Sequence, residues 1–272
     1  MARGHFDGSG FDPWHARPRS GRRRYHIRDS VRWLQVSATP TPQPITTCYL
    51  ARHCDVANPD GVLYGHLPNF PLSAKGRQQA TSMGRYLAEA GVRAIYSSPL
   101  ERAQETAVVL ASQLSPPPPV LTRPGLVEAE FGRYLQGTRF QDVVWRKPRW
   151  WVHMVWPGLV PGDESMAAMA ARVGAVIQEG VRVHRGEAFV CVSHGDPIQA
   201  FWATSEGRLP WALHRLQCAK GGLLELRYEG QTLAAHTYRS PQHLAAAADA
   251  PALAATAPLP VAAEPPGRPA ES

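Results

Sequence analysis

Two histidines at the ends of apolar runs constrain the fold of this chain more than any other feature of its sequence. His53 lies just beyond the run 46–51, and His194 directly follows the run 188–193. Short continuous apolar runs are typical of strands buried on both faces of a parallel sheet. Because open α/β sheets bind ligands beyond the carboxyl ends of their strands, we expect both histidines at one crevice.

Strand and helix patterns alternate through the middle of the chain. Strands are predicted near 46–51, 93–97, 119–123, 188–193 and 222–228, and helices near 73–90, 99–113, 165–184 and 197–207. Such alternation predicts an α/β fold, a three-layer αβα sandwich with a mainly parallel central sheet. Ser73 is the expected N-cap of the first helix.

The two ends of the chain differ in composition from the middle. Residues 1–44 are rich in Arg, Gly, Ser and Pro, and 241–272 consist almost entirely of Ala, Pro and other small residues. We therefore expect a disordered basic N-terminal extension and a disordered Ala/Pro-rich tail around a single domain at 45–240. Residues 1–44 carry eight Arg and three Asp, a net +5. Since no folded recognition element accompanies this arm, we expect no nucleic-acid partner.

Composition also bears on location. The N-terminal residues lack a continuous apolar stretch, and no run reaches the roughly 20 apolar residues that span a bilayer, so we expect no membrane partner. The chain has four cysteines, Cys48, Cys54, Cys191 and Cys218, which form no C-x-x-C pair. Cys48 and Cys191 lie in predicted core strands. Reduced thiols in the cytoplasm are the expected state.

Five short motifs follow one another in a characteristic order. They are Arg52-His53, L-S-x-x-G-x-x-Q-A at 72–80, S-S-P-L-x-R-A-x-x-T-A at 97–107, L-x-E at 126–128 and V-S-H-G at 192–195. In this order they resemble the histidine phosphatase superfamily, also called phosphoglycerate mutase-like, over roughly 46–226. The resemblance is to its phosphatase branch.

The resemblance implies a role for each matching residue. His53 would be the nucleophile that forms a phosphohistidine, since a neutral imidazole can attack phosphorus without first losing a proton. Arg52 and Arg102 would clamp the phosphate oxygens with planar, permanently charged guanidinium groups. His194 would be a further donor to these oxygens, and Glu128 the acid that protonates the leaving alcohol. This scheme needs no metal and no cofactor.

Two of the motif positions allow more than one interpretation. Glu130 lies two residues after Glu128 and is an alternative acid. Asn58 resembles the family's phosphate-contacting asparagine, one position closer to the histidine than in the common pattern. It is equally interpreted as the start of the turn 58–61, whose Asn-Pro-Asp-Gly composition is a turn signature.

Three further residues have competing interpretations. Cys54 stands where the family has glycine, and would either narrow the pocket or be a small buried hydrophobic residue. It is a poor nucleophile for a cysteine phosphatase, because Asp60 occupies the place of the required arginine. Glu164 either matches the family's G-E-S segment or is a carboxylate at a helix N-terminus. Asp196 resembles the acid that the acid-phosphatase branch of the superfamily carries immediately after its second histidine, but Gly195 occupies that place here. Asp196 with Pro197 is therefore interpreted as the start of a helix.

Residues 145–157 contain four of the chain's eight tryptophans together with Arg146, Lys147 and Arg149. In the resembled family this region helps to cover the pocket, and aromatic faces with cations suit a phosphorylated ligand with an apolar or ring-bearing body. The alternative is a helix that packs its tryptophans onto the core.

Together these features predict a metal-independent phosphomonoesterase that acts through a phosphohistidine on a small phosphorylated metabolite. Two alternatives stay open at this point. One is a phosphoglycerate-type mutase, although the region between the acid loop, which carries the L-x-E motif at 126–128, and Gly162 is short for the resembled mutases. The other is a catalytically impaired phosphate-binding protein. The sequence leaves the oligomeric state open.

Overall fold

The computed structural model describes residues 43–130, 134–156 and 158–249. Its strands are β1 (Ile45–Arg52), β2 (Val92–Ser97), β3 (Val120–Thr122), β4 (Ala188–Ser193), β5 (Leu223–Glu229) and β6 (Thr232–Arg239). They form one six-stranded sheet in the order β3-β2-β4-β1-β5-β6. The pairs among the first four strands of this order are parallel, and β5 is antiparallel to both of its neighbours. The predicted mainly parallel sheet is confirmed.

Helices cover both faces of the sheet, as predicted. They are α1 (Ala74–Tyr86), α2 (Glu101–Ala111), α3 (Phe140–Arg146), α4 (Arg149–Val155), α5 (Met166–Val183), α6 (Gly195–Ser205) and α7 (Pro241–Asp249). Along β4, Phe189 and Cys191 join a core cluster with α5 and α6, whereas Val190 and Val192 join a cluster with α1, α2 and α7. Successive side chains of a strand point to opposite faces, so β4 is buried on both sides and the domain has three layers.

The register of β1 and β4 determines where the site lies. The two strands are parallel neighbours, and Arg52 pairs with Ser193. His53 and His194 therefore leave the same edge of the sheet side by side. The backbone N–H of His53 donates to the Ser193 carbonyl at 2.9 Å, which fixes this exit.

Local signals explain where the helices begin. Ser73 is the N-cap of α1, and its hydroxyl accepts the backbone N–H of Gly76 at 3.0 Å, as expected. Ser165 caps α5 in the same way through Ala168. These caps satisfy amide groups that lack partners within the first turn.

The expected disorder of the chain after residue 240 is wrong for residues 241–249. Residues 241–249 form α7, and Leu244 is 1% exposed in the core cluster that α1 also joins. The alanines of this segment favour a helix because alanine has the highest helix propensity. Burial of Leu244 then stabilises the helix against the rest of the domain. Residues 1–42 and 250–272, the rest of the expected disordered ends, lie outside the described residues. α3 and β6 were not predicted from the sequence, and α4 lies in the segment 145–157, for which a helix was one of two interpretations.

Within the described ranges, no helix is long and apolar enough to cross a membrane.

Candidate active site

The carboxyl edge of the sheet brings the two motif histidines together. His53 follows β1, and His194 is the N-cap of α6 directly after β4. Both side chains are fully buried, and their ring centroids lie 5.1 Å apart. The crevice expected from the strand ends is therefore present.

Hydrogen bonding indicates which nitrogen of His53 carries the proton. Nδ1 lies 2.8 Å from the carbonyl oxygen of Cys54, and a carbonyl can only accept, so Nδ1 is the donor. Nε2 then has a free lone pair, and this buried atom has no hydrogen-bond partner among the described residues. Burial, reinforced by the positive charges of Arg102 and Arg52, holds the pKa of His53 well below its usual range. A neutral, oriented imidazole of this kind is equipped to be a nucleophile.

His194 also carries its proton on Nδ1, but here it is Nε2 that is hydrogen-bonded to the protein. Its Nε2 lies 2.7 Å from the Ser98 hydroxyl, which in turn accepts the backbone N–H of Leu100 at 3.3 Å. When the hydroxyl donates to Nε2, Nδ1 carries the proton, and Nδ1 faces the Glu128 carboxylate at 3.7 Å. Burial and the positive charges around it also hold the pKa of His194 well below its usual range. His194 is thus a neutral donor directed into the site.

Two arginines supply the positive charge of the site, Arg102 buried and Arg52 partly buried. Arg52 donates through Nη1 to the Cys218 carbonyl at 2.6 Å, and Arg102 donates through Nη2 to the Gly65 carbonyl at 2.8 Å. The Arg102 guanidinium also lies 4.7 Å from the centre of the Tyr64 ring. The Nε atoms of both arginines are buried and have no partner within the described part of the chain. These donors are positioned but still available to an anion.

The structure distinguishes between the two candidate acids. Glu128 is buried, with Oε1 accepting the Ala129 N–H at 2.9 Å and Oε2 3.8 Å from Arg102 Nη2. Burial raises the pKa of Glu128, the nearby Asp196 carboxylate raises it further, and Arg102 opposes both. Glu130 has a side chain that is 52% exposed, and its carboxylate lies 3.9 Å from His66. Glu128, not Glu130, therefore points into the site.

Three of these side chains could also be considered as ligands of a metal ion. One donor atom each from His53, Glu128 and His194 lies within 4.8 Å of the others. However, Arg52 and Arg102 place permanent positive charge beside this trio, which disfavours a cation and favours an anion. The donor set fits a phosphate group better than a metal.

Comparison with known proteins identifies the family of this site. The model of the histidine phosphatase superfamily (branch 1) matches residues 48–240. The chain belongs to the histidine phosphatase superfamily.

The similarity to individual proteins extends over nearly their whole length. "Uncharacterized protein Rv0525" of Mycobacterium tuberculosis is 34% identical over 202 residues, 73% of this chain and 98% of that protein. "Probable phosphoglycerate mutase GpmB" of Salmonella paratyphi B is 30% identical over 215 residues, covering 75% and 96%. The solved structure of the alpha-ribazole phosphatase from Shigella flexneri is 25% identical with a TM-score of 0.58, covering 71% and 95%. The proteins similar to this chain thus include both a phosphatase and a probable mutase by name.

Not every expected site residue contacts the histidine phosphatase centre directly. The Asn58 side chain borders the cavity, but its amide donates to the Val62 carbonyl at 2.9 Å and accepts the Val62 N–H at 3.1 Å. The geometry thus shows the turn, and a phosphate contact of Asn58 stays a prediction. Cys54 is fully buried in a core cluster, where burial raises the pKa of its thiol to about 12. Of the two interpretations of Cys54, the structure therefore favours a small buried hydrophobic residue over a side chain that narrows the pocket.

Glu164 lies outside the cavity. Its carboxylate forms a bidentate ion pair with Arg172 of α5, at 2.7 Å to Nε and 2.9 Å to Nη2. Asp196 does begin α6 as expected, yet it also lines the cavity and acts on the pKa of Glu128.

A cavity of about 500 Å³ opens beside these groups. Its lining includes Glu128 and Arg52 together with Phe140 of α3 and Trp150 and Met154 of α4. The short helices α3 and α4 therefore form part of the cavity wall. None of the tryptophans in 145–157 is buried, so the alternative that they pack onto the core is wrong.

Sequence reasoning missed several residues that line the site. Tyr64 lies under the Arg102 guanidinium and edge-on to His53, Lys220 lies beside Tyr64, and Ser98 orients His194. Ser98 was part of a quoted motif, so its position carried a usable signal. Tyr64 and Lys220 lie in loops without periodicity, and only folding brings them to the site.

Proposed function

We propose that this protein is a metal-independent phosphomonoesterase that acts through a phosphohistidine intermediate on a small phosphorylated substrate. One observation carries the proposal. Among the described residues, three buried donor nitrogens of this site lack a hydrogen-bond partner, namely Nδ1 of His194 and Nε of Arg52 and Arg102, and Nε2 of His53 keeps a free lone pair. Buried polar atoms are normally satisfied, so the three donors indicate a missing anionic partner, and the lone pair of His53 is free to attack its phosphorus.

In the first step, Nε2 of His53 forms a bond to phosphorus while the bond from phosphorus to the leaving oxygen breaks. Arg52, Arg102 and His194 donate to the equatorial oxygens, whose charge increases in the transition state. Glu128 gives its proton to the leaving oxygen, which departs as an alcohol. The Cys54 carbonyl, which accepts from Nδ1, stabilises the positive charge that spreads over the phosphorylated ring of His53.

In the second step, the Glu128 carboxylate takes a proton from a water molecule while the oxygen of this water forms a bond to phosphorus. The bond from phosphorus to Nε2 breaks, inorganic phosphate leaves, and both His53 and Glu128 return to their starting protonation states. The raised pKa of Glu128 suits a group that acts alternately as acid and base.

Chelator-resistant hydrolysis of p-nitrophenyl phosphate tests this proposal. The purified wild type is expected to release p-nitrophenol with EDTA present, and His53→Ala to release none. His243→Ala is the matched control, because His243 is an exposed histidine of α7. Brief incubation with a ³²P-labelled phosphate ester and acid-free denaturation should leave label on the wild type and on His243→Ala but not on His53→Ala.

Other outcomes would favour the alternatives. Activity that appears only with a bisphosphorylated primer would indicate a mutase, in line with the name of the Salmonella relative. Phosphate binding without turnover by the wild type would indicate the impaired binding protein. A cytoplasmic location and the absence of a nucleic-acid partner remain part of this proposal and rest on the sequence.

A further inference from the structure

The lining of the cavity combines two kinds of side chain. Arg52, Glu128 and Asp196 are charged, whereas a second set is apolar. The apolar lining comprises Val62, Leu63, Leu135, Phe140, Trp150 and Met154. Apart from His214, the cationic residues that line the described cavity are Arg52 and Lys220.

Neither cation is placed to hold a second acidic group on a substrate. Arg52 belongs to the phosphate site. Lys220 lies 3.3 Å from the Asp55 carboxylate, so its charge is already paired. A substrate such as phosphoglycerate or phosphoserine would therefore bring its carboxylate against apolar side chains, at a desolvation cost.

We propose, building on the phosphatase function above, that the natural substrate carries an apolar or aromatic body on its phosphate ester and that Phe140, Trp150 and Met154 bind this body. A volume of about 500 Å³ accommodates a group of this kind alongside the phosphate. Trp150 and Met154 lie four residues apart on α4, so they present adjacent side chains on one face of that helix.

A series of straight-chain alkyl phosphates from methyl to octyl isolates this contact. The leaving alcohols are nearly equal in basicity, so the chemical step stays constant along the series. The value of kcat/KM is expected to rise roughly three- to fourfold per methylene until the cavity is filled. Trp150→Ala should flatten this rise, so that its loss of kcat/KM relative to the wild type grows with the length of the alkyl chain. Trp145→Ala is the matched control, since Trp145 is 85% exposed on α3 and does not line the cavity.

The outcomes separate this inference from the phosphatase function itself. A flat series, or a preference for phosphoserine over hexyl phosphate, overturns the inference while p-nitrophenyl phosphate hydrolysis still supports a phosphatase. A Trp145→Ala effect equal to that of Trp150→Ala also overturns it. If no ester is hydrolysed, including p-nitrophenyl phosphate, the proposed function fails first.

A second, independent observation concerns the loop that carries the acid. Arg172 of α5 donates through Nη1 to the carbonyls of Gly125 and Val127 at 2.9 and 2.6 Å, and through Nη2 to that of Glu128 at 3.4 Å. The bidentate pair with Glu164 fixes the plane of this guanidinium. Both side chains of the pair are mostly buried.

We infer that Arg172 is a positioning residue for Glu128, oriented by Glu164, in the proposed phosphatase reaction. Three carbonyls in four residues converge on one guanidinium, so the backbone of the acid loop is tied to α5 directly where Glu128 leaves it. The main effect of losing this tie is a misplaced carboxyl group, which matters only where the leaving group needs a proton.

Arg172→Lys tests this inference, because lysine keeps the charge but cannot bind three carbonyls and a carboxylate in one plane. We expect kcat for ethyl phosphate to fall about tenfold or more, and kcat for p-nitrophenyl phosphate and both KM values to stay within about twofold. Glu164→Gln should act in the same direction and more weakly.

The matched control is Arg123→Lys, since Arg123 pairs with Glu179 at 3.2 Å beside the same loop. It should lower neither rate. Equal losses on ethyl and p-nitrophenyl phosphate in Arg172→Lys, or no loss on either, would overturn the positioning role. Loss of all activity in the wild type would instead refute the phosphatase function.

Discussion

Gly195→Ala probes the close packing of the phosphate site against α6. A Cβ atom on Gly195 would lie 3.0 Å from Cζ of Arg52 and 3.2 and 3.3 Å from its Nη2 and Nη1. Carbon atoms in contact settle at about 3.5–4.0 Å, so the guanidinium would have to move by about half an ångström. It is not free to do so without weakening its bond to the Cys218 carbonyl at 2.6 Å.

The size of the effect follows from this displacement. A misplacement of about 1 Å in a catalytic site costs about 10²-fold in rate, so half of that is expected to lower kcat/KM about tenfold, or about 1.4 kcal/mol. Thermal stability should fall little, because Gly195 lies in α6 without a positive φ, and the higher helix propensity of alanine offsets part of the strain from this contact.

A double-mutant cycle with p-nitrophenyl phosphate tests the reasoning. The variants are Gly195→Ala, Arg52→Ala and the double variant, each compared by kcat/KM. Once the guanidinium is removed, the added methyl group has nothing to displace, so the double variant should match Arg52→Ala. Full activity of Gly195→Ala, or additive losses in the double variant, would refute the claim that the glycine makes room for Arg52.

Three further predictions concern the acid and the core. Glu128→Gln should slow ethyl phosphate hydrolysis by about 10²- to 10⁴-fold and p-nitrophenyl phosphate hydrolysis little, because only the alkoxide needs a proton; equal losses would contradict the assigned acid. Since Glu128 must be protonated at the start of the reaction, kcat/KM for ethyl phosphate should fall as pH rises through the raised pKa of Glu128. Asp196→Asn should move this fall to lower pH, because it removes a carboxylate that raises this pKa; an unmoved pH–rate profile would argue against an effect of Asp196 on Glu128. Cys54→Ala should keep activity within about twofold and lower the free energy of unfolding in urea by about 1 kcal/mol, whereas a tenfold loss of activity would place the thiol in the site.

The sheet and its order of helices were predictable because their signals are local. Apolar runs of strand length and a serine N-cap are properties of a few consecutive residues, and the structure places β1, β4 and α1 close to their expected bounds. The elements that were missed have weaker local patterns. β6 is an edge strand with a mixed polar sequence, and α7 owes its order to the burial of Leu244 against the rest of the fold.

The sequence by itself determined the family and the types of chemical group available, since motif spacing is a property of the chain. Only the tertiary structure decided which of these groups meet. Glu128 and Glu130 are two residues apart, yet one is buried beside Arg102 and the other faces solvent. Likewise, Trp150 lines the cavity while its helix neighbour Trp151 does not. Orientation of this kind depends on packing between segments distant in sequence, and no local pattern encodes it.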